Sequence, residues 1–364
     1  MFEKINGNFG FGCMRLPMLD GEVDKAEFSK MIDTFLDAGF NYFDTAHGYI
    51  DGKSELAIGE CLAGRHPRES FILANKLTVW FFEREEDILP LFESQLERCG
   101  VEYFDFYLFH AMRAAAYPKY VECKAFEIVK RLRDEGKIKH IAMSFHDSAD
   151  VLDMILGEHP EIEAVQLQIN YLDYDDPTVQ SKACYDVAVK HGKKVIVMEP
   201  VKGGALVNLP PEAAGEFEKL GDATPVSYAI RYAASYPEVF MVLSGMGNMN
   251  MMSENISTMS NFVPLNASEL EATSRAREII RKYNRISCTG CKYCADVCPK
   301  QIPIAELFST YNEYVMARIS RKEASALVCA HAVSPSECIE CGACEEVCPQ
   351  KIDIRERLKK IGKL

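Results

Sequence analysis

Residues Asp24–Ala38, DKAEFSKMIDTFLDA, followed after Gly39-Phe40 by Asn41–Thr45, NYFDT, form the unit on which the reading of this chain turns. Phe28, Met31, Ile32, Phe35 and Leu36 fall at i, i+3, i+4, i+7 and i+8, which gives a helix one apolar face. The stretch after it is short and rich in residues that favour a buried strand. The pattern repeats outward in both directions. Strands are expected at Phe11–Leu16, Asn41–Thr45, Ser70–Leu77, Phe104–His110, Ile138–Ser144, Ala164–Ile169, Lys194–Glu199 and Val239–Ser244. Helices are expected between them at Glu85–Cys99, Glu122–Glu135, Thr178–His191 and Pro225–Tyr236. Strands alternating with helices mark βα units and a parallel sheet, and eight such units close a TIM barrel, (β/α)₈. A doubly wound sheet is the rival, but no G-x-G-x-x-G opens a helix after the first strand. A helix over Ala267–Tyr283 then leads into a tail of different composition. The expected domains are an α/β barrel over residues 1–284 and a small, mainly α-helical domain over 285–364.

The net charge of −13 argues against a nucleic-acid partner, which would need a basic face. The charge is uneven: residues 285–364 carry 12 Lys and Arg against 10 Asp and Glu, so the remainder is formally −15. No apolar run reaches the roughly 18 residues that span a bilayer, and Met1–Ile5 does not lead into a signal-like apolar segment. These features predict a cytoplasmic protein without a membrane partner. Composition says nothing about oligomeric state.

Of the 14 cysteines, eight form two runs, and dense cysteine without a secretory signal is better read as metal ligation than as disulfides. The runs are Cys288-x₂-Cys291-x₂-Cys294-x₃-Cys298-Pro299 and Cys338-x₂-Cys341-x₂-Cys344-x₃-Cys348-Pro349. Both fit the bacterial ferredoxin pattern, in which the fourth cysteine ligates the other cluster. One [4Fe–4S] cluster is therefore expected on Cys288, Cys291, Cys294 and Cys348, and a second on Cys338, Cys341, Cys344 and Cys298. A structural zinc site usually pairs two C-x₂-C units across a long loop instead. The 39 residues between the runs place Ile304, Leu307, Phe308, Tyr311, Val315 and Ile319 on one helical face, which predicts a helical ferredoxin-like domain.

Active sites of barrels lie at the C-terminal ends of the strands. Those ends supply Asp44, Lys76 and His110, with Tyr49 in the loop after Asp44. Taken singly, each is more often a cap, a solvated charge or a core histidine. Together they make a proton-transfer device. A tyrosine hydroxyl is a weak acid, a buried ammonium beside it favours its phenolate, and a carboxylate behind the ammonium keeps that charge in place. Such a tyrosine can protonate a carbonyl oxygen, and an imidazole can orient the carbonyl or relay a proton.

At these residues the chain resembles the aldo/keto reductase family. The resemblance is carried by Phe43-Asp44-Thr45-Ala46-His47-Gly48-Tyr49, Ser54-Glu55, Ile58-Gly59, Ala74-Asn75-Lys76-Leu77 and Tyr107-Leu108-Phe109-His110. It implies an NAD(P)H-dependent oxidoreductase acting on a small carbonyl substrate, with Asp44, Tyr49, Lys76 and His110 as the catalytic tetrad. Gly12, Cys13 and Arg15 match the first-strand end beside the nicotinamide and pyrophosphate. Ser144, Gln166 and Asn170 match the carboxamide contacts, and Glu254 and Asn255 match adenine contacts at a helix start. Two departures stand out. Met198 occupies the place of the ring that usually stacks on the nicotinamide, and Ser244–Met251 holds no Lys or Arg for the 2′-phosphate of NADPH. Backbone amides around Gly245 and Asn248 remain as phosphate donors. Barrel plus cysteine tail is similar to an iron–sulfur branch of the family. The alternative is an electron-transfer protein whose clusters pass single electrons from a ferredoxin-type carrier to a substrate or flavin in the barrel, although nothing here reads as a dedicated flavin site. Trp80, Phe81, Phe82 and Arg113 are candidate pocket-lining residues.

Overall fold

A computed structural model describes every residue except Met1, Glu3, Asp222 and Asn284. Eight strands close a barrel: β1 (Phe9–Gly12), β2 (Tyr42–Asp44), β3 (Ile72–Thr78), β4 (Phe104–Met112), β5 (Ile138–Phe145), β6 (Ala164–Gln168), β7 (Lys194–Met198) and β8 (Val239–Gly245). Every neighbouring pair is parallel, and β1 closes the ring between β2 and β8. The eight expected strands are thus present, and the largest shift is in the first: β1 starts two residues earlier than Phe11 and stops at Gly12, four short of Leu16. Its glycines hid it. A Cβ on Gly10 would lie 2.7 Å from Leu243 Cδ2 and 2.9 Å from Met241 Sδ, so β1 needs the residue that ordinarily weakens a strand.

Tyr42, Phe106, Leu108, Ile196, Met241 and Leu243 fill the barrel interior, and Phe2 packs against its start through the rings of Phe106 and Phe240. Outside the strands, α1 (Lys25–Asp37) begins on an Asp24 cap and buries Phe28, Met31, Ile32 and Phe35, the face read from the sequence. The helix expected over Glu122–Glu135 is instead two, α2 (Tyr117–Glu122) and α3 (Ala125–Asp134), because Lys124 adopts a left-handed conformation between them. After β8 comes α4 (Met249–Ser260), so Glu254 and Asn255 lie in its second turn rather than at its start.

The chain divides into two compact units, Met1–Pro200 with Ala229–Leu265 and Val201–Tyr228 with Asn266–Leu364. The second unit therefore takes in residues 201–228 and the helix α5 (Ala267–Lys282) together with the cysteine tail. Its core is built from Ile286, Ile302, Leu307, Phe308, Tyr311, Val328, Leu358 and Ile361. The amphipathic insert forms α6 (Ile304–Val315), which ends before Ile319 where Ala317 turns left-handed, and a further helix, α7 (Arg321–Cys329), follows. Among the described residues, no helix is long and apolar enough to cross a membrane.

Candidate functional site

The strand register brings the candidate residues to one end of the barrel: Gly12 pairs with Asp44 and Gly245, Thr78 with His110, Ser144 with Gln166, and Gln168 with Met198. Lys76, wholly buried, donates to Asp44 Oδ1 at 2.6 Å and to the Thr45 carbonyl at 2.7 Å. Its ammonium lies 4.7 Å from the centre of the Tyr49 ring, and the Tyr49 and His110 rings are 5.9 Å apart. The structure thus brings all four members of the expected tetrad together.

Burial pushes the Asp44 carboxyl above its ordinary range and the Lys76 ammonium below its own, while each opposes the other's shift. Gln166 adds a donor to Asp44 Oδ2 at 3.3 Å. Burial, then the charges of Lys76 and His146, hold His110 well below the usual imidazole value, so it is neutral at pH 7. Its Nδ1 meets Thr78 Oγ1 at 2.7 Å. A register shift in β4 and a left-handed Ala111 follow His110, and the Ala111 amide is held by Ser144 Oγ at 2.8 Å. This is a bulge that turns His110 relative to its strand.

Sequence reasoning missed the scaffold under Lys76. Its amide donates to Asn75 Oδ1 and its carbonyl accepts from Gln95 Nε2. Glu55, wholly buried, accepts from Asn75, Arg98 and Gln95 and pairs with His47 Nδ1 at 2.9 Å. Burial opposes ionisation of Glu55, yet the contacts with His47, Asn75 and Arg98 hold it below the ordinary carboxylate range. Glu55 and Asn75 stood in the quoted motifs. Gln95 and Arg98 carried no signal, because only folding brings their helix, Glu85–Cys99, to Glu55 and Asn75.

Around the mouth, Trp80 sits edge-on to His110 at 6.2 Å, and Phe81 packs on His47 at 4.7 Å. Phe82 is not a lining residue: it is buried against Tyr120, 5.6 Å between ring centres. Arg113 is partly buried. Cys13 is fully buried, with its amide on the Asp44 carbonyl and its carbonyl accepting from Ser54, so it braces the tetrad loop with its backbone.

The mouth suits a nicotinamide dinucleotide at one end. Ser144 has a hydroxyl hydrogen left to give, and among the described residues nothing donates to Gln166 Oε1. Asn170 is spent on Asp173 and the Glu199 carbonyl, Met198 ends β7 partly exposed, and Asn255 donates to Ser244 Oγ. At the other end, Gly247 opens on empty space, since a Cβ there would meet nothing within 4 Å. Of the amides expected to hold phosphate, that of Gly247 is engaged on Met251 Sδ; just beyond them Met249 donates to Glu27 and Met251 to Asn248. Glu254 is partly buried, and Arg15, beside Gly245, pairs with Glu199 at 3.7 Å. The unused hydroxyl hydrogen of Ser144 and the carbonyl oxygen of Gln166 fit the nicotinamide end of a dinucleotide.

In the second unit, Cys298, Cys338, Cys341 and Cys344 line one pocket with Ile302, Leu358 and Arg355, holding about 330 Å³ of empty space that includes open solvent. Burial, then the charges of Cys291, Cys288, Cys348 and Cys344, push the Cys294 thiol up. Burial, then Glu345, Cys338 and Cys298, push the Cys344 thiol to about 11. An iron–sulfur core reverses that cost by binding the thiolates. Among the described residues, no three His, Cys, Asp or Glu groups form a site for a single metal ion. Asn312 of α6 grips Ile286 through both its amide and carbonyl, two residues before Cys288.

These geometries define a barrel oxidoreductase site together with a cysteine-lined domain. The chain belongs to the aldo/keto reductase family, which it matches over residues 8–278, and its tail matches a 4Fe-4S dicluster domain over residues 287–352. It is 28% identical to an aldo-keto reductase of Mycolicibacterium smegmatis over 227 residues, 61% of this chain and 74% of that one. It is 26% identical to the NADH-specific methylglyoxal reductase of Escherichia coli over 212 residues, 52% of this chain and 61% of that one. Among solved structures, the holo form of an aldo-keto reductase from Bacillus halodurans superposes with a TM-score of 0.61 at 24% identity, covering 74% of this chain and 91% of that one. An aldo-keto reductase from Klebsiella pneumoniae in complex with NADPH gives 0.60 at 18% identity, covering 74% and 90%. The protein is accordingly an oxidoreductase with an iron–sulfur domain.

Proposed function

We propose that the barrel reduces a small aldehyde or ketone with NAD(P)H, Tyr49 acting as general acid. The observation that carries this reading is the Lys76 ammonium, lying between the Asp44 carboxylate and the Tyr49 ring beside a neutral His110. Gln166 and Ser144 would hold the nicotinamide end, with Gly12 and Gly245 lining its approach. When bound, NAD(P)H supplies the hydride that forms the new C–H bond at the carbonyl carbon. Tyr49 gives its hydroxyl proton to the carbonyl oxygen, and the adjacent ammonium stabilises the negative charge left on the phenol oxygen. Asp44 keeps Lys76 charged and fixed. The Thr78 hydroxyl contact at Nδ1 allows the tautomer with the proton on Nε2, and in that form His110 would hydrogen-bond the substrate carbonyl and orient it without giving the proton up.

In this reading the tail, from residue 285, holds two [4Fe–4S] clusters, Cys288, Cys291, Cys294 and Cys348 around one, and Cys338, Cys341, Cys344 and Cys298 around the other. The protein works in the cytoplasm, where its thiols stay reduced. The test is nucleotide oxidation with a panel of small carbonyls under anaerobic conditions; turnover that needs Tyr49 supports the reading. A second reading, single-electron transfer from a ferredoxin-type carrier to a substrate or flavin in the barrel, is favoured by the exposure of Cys341 at the rim of its pocket. Loss of carrier-driven but not NAD(P)H-driven reduction in Cys341→Ala would support that relay.

A further inference from the structure

Glu27 stands in the first turn of α1 and meets a group 222 residues away: its Oε1 accepts from the Met249 amide at 3.1 Å. Met249 is the first residue of α4, so the carboxylate sits where an anion would otherwise meet that helix. Its other oxygen accepts from no described residue. The surroundings leave its charge uncompensated by sequence neighbours of the amide, since Ser244–Met251 contains no Lys or Arg. Arg15, beside Gly245, pairs with Glu199. Empty space lies against Gly247, two residues before the amide that Glu27 holds.

From this arrangement we infer that Glu27 is the residue that sets nucleotide choice. Its outer oxygen accepts a hydrogen bond from the adenosine 2′-hydroxyl of NADH, and its charge repels the 2′-phosphate of NADPH. The same logic places an acidic residue on the ribose of NAD in dinucleotide-binding sheets. Here the acid comes from the first helix of a barrel and is held in place by the last strand's following helix. The inference rests on the nicotinamide reading above.

The test measures Kd for NADH and for NADPH by nucleotide fluorescence, using the full chain with its clusters, in the parent protein, Glu27→Gln and Glu27→Ala. The parent should bind NADH about tenfold or more tightly than NADPH, and both variants should shrink that ratio by about tenfold, because a hydrogen bond to a charged group is lost and a repulsion removed. Unchanged cluster absorbance and circular dichroism would show the variants folded. If the parent binds NADPH better, or if both variants keep the parent ratio, Glu27 does not select the nucleotide while the nicotinamide reading stands. If the parent binds neither nucleotide, both fall together.

Discussion

Lys76 Nζ lies 2.6 Å from Asp44 Oδ1 and 4.7 Å from the centre of the Tyr49 ring, with all three side chains buried. A buried ion pair is a weak source of stability, because the desolvation of both charges offsets their attraction. Its value here is chemical: it keeps a cation beside a phenol in a place that water barely reaches.

Tyr49→Phe should therefore preserve the fold and nucleotide binding while cutting carbonyl turnover by about 10²–10⁴-fold, the usual worth of a general acid. Steady-state rates beside nucleotide Kd values check it. Near-parental turnover would remove Tyr49 from the chemistry.

Acid should destabilise the barrel through two histidines, His110, which is buried, and His146, which is half-buried. Burial pushes His110 well below the ordinary 6.5, and burial followed by the charge of Arg113 pushes His146 down to about 4. Above pH 6.5 neither the folded nor the unfolded chain protonates these rings, and their full contribution to stability is present. Below it, the unfolded chain takes up protons that the native barrel refuses, so stability falls until the native values are passed. Anaerobic melting temperatures between pH 7.5 and 4.5 should show this decline, and His146→Gln should make it shallower. An equally steep decline in that variant would assign the effect elsewhere.

Crossed ligation makes a specific forecast for paired substitutions. The double variant Cys294→Ala/Cys348→Ala strikes one cluster twice and should retain about four of eight irons per chain. Cys294→Ala/Cys298→Ala strikes both and should lose nearly all. Iron analysis after anaerobic purification decides it, and the reverse ranking would mean that each run holds its own cluster.

Gly203 is a point of vulnerability for the first cysteine run. It sits at a φ of +60°, and a Cβ there would fall 2.3 Å from the Thr289 carbonyl oxygen, next to Cys288. Gly203→Ala must move backbone, which costs at least about 2 kcal/mol. The expected result is a lower melting temperature and a labile cluster on Cys288, read by iron content after exposure to a chelator. Parental iron retention and melting would show that the loop yields freely.

Much of this protein was written in local sequence. Amphipathic spacing such as Phe28, Met31, Ile32 and Phe35 marked the helices, alternation with short apolar runs marked the barrel, and the two cysteine runs marked the second domain, because period and ligand spacing are local properties of a chain. Asp44, Tyr49, Lys76 and His110 were legible as strand-end residues for the same reason. The tertiary structure alone decided the rest. β1 was misplaced because its glycines answer to Leu243 and Met241 across the barrel, and Ser144 proved to hold the bulge at Ala111. Residues 201–228 joined the cysteine unit through Gly203 and Thr289, and Glu27 reached Met249 across 222 residues. Each of these depends on a contact between distant segments, and no periodicity records which distant segment a closed barrel will bring alongside.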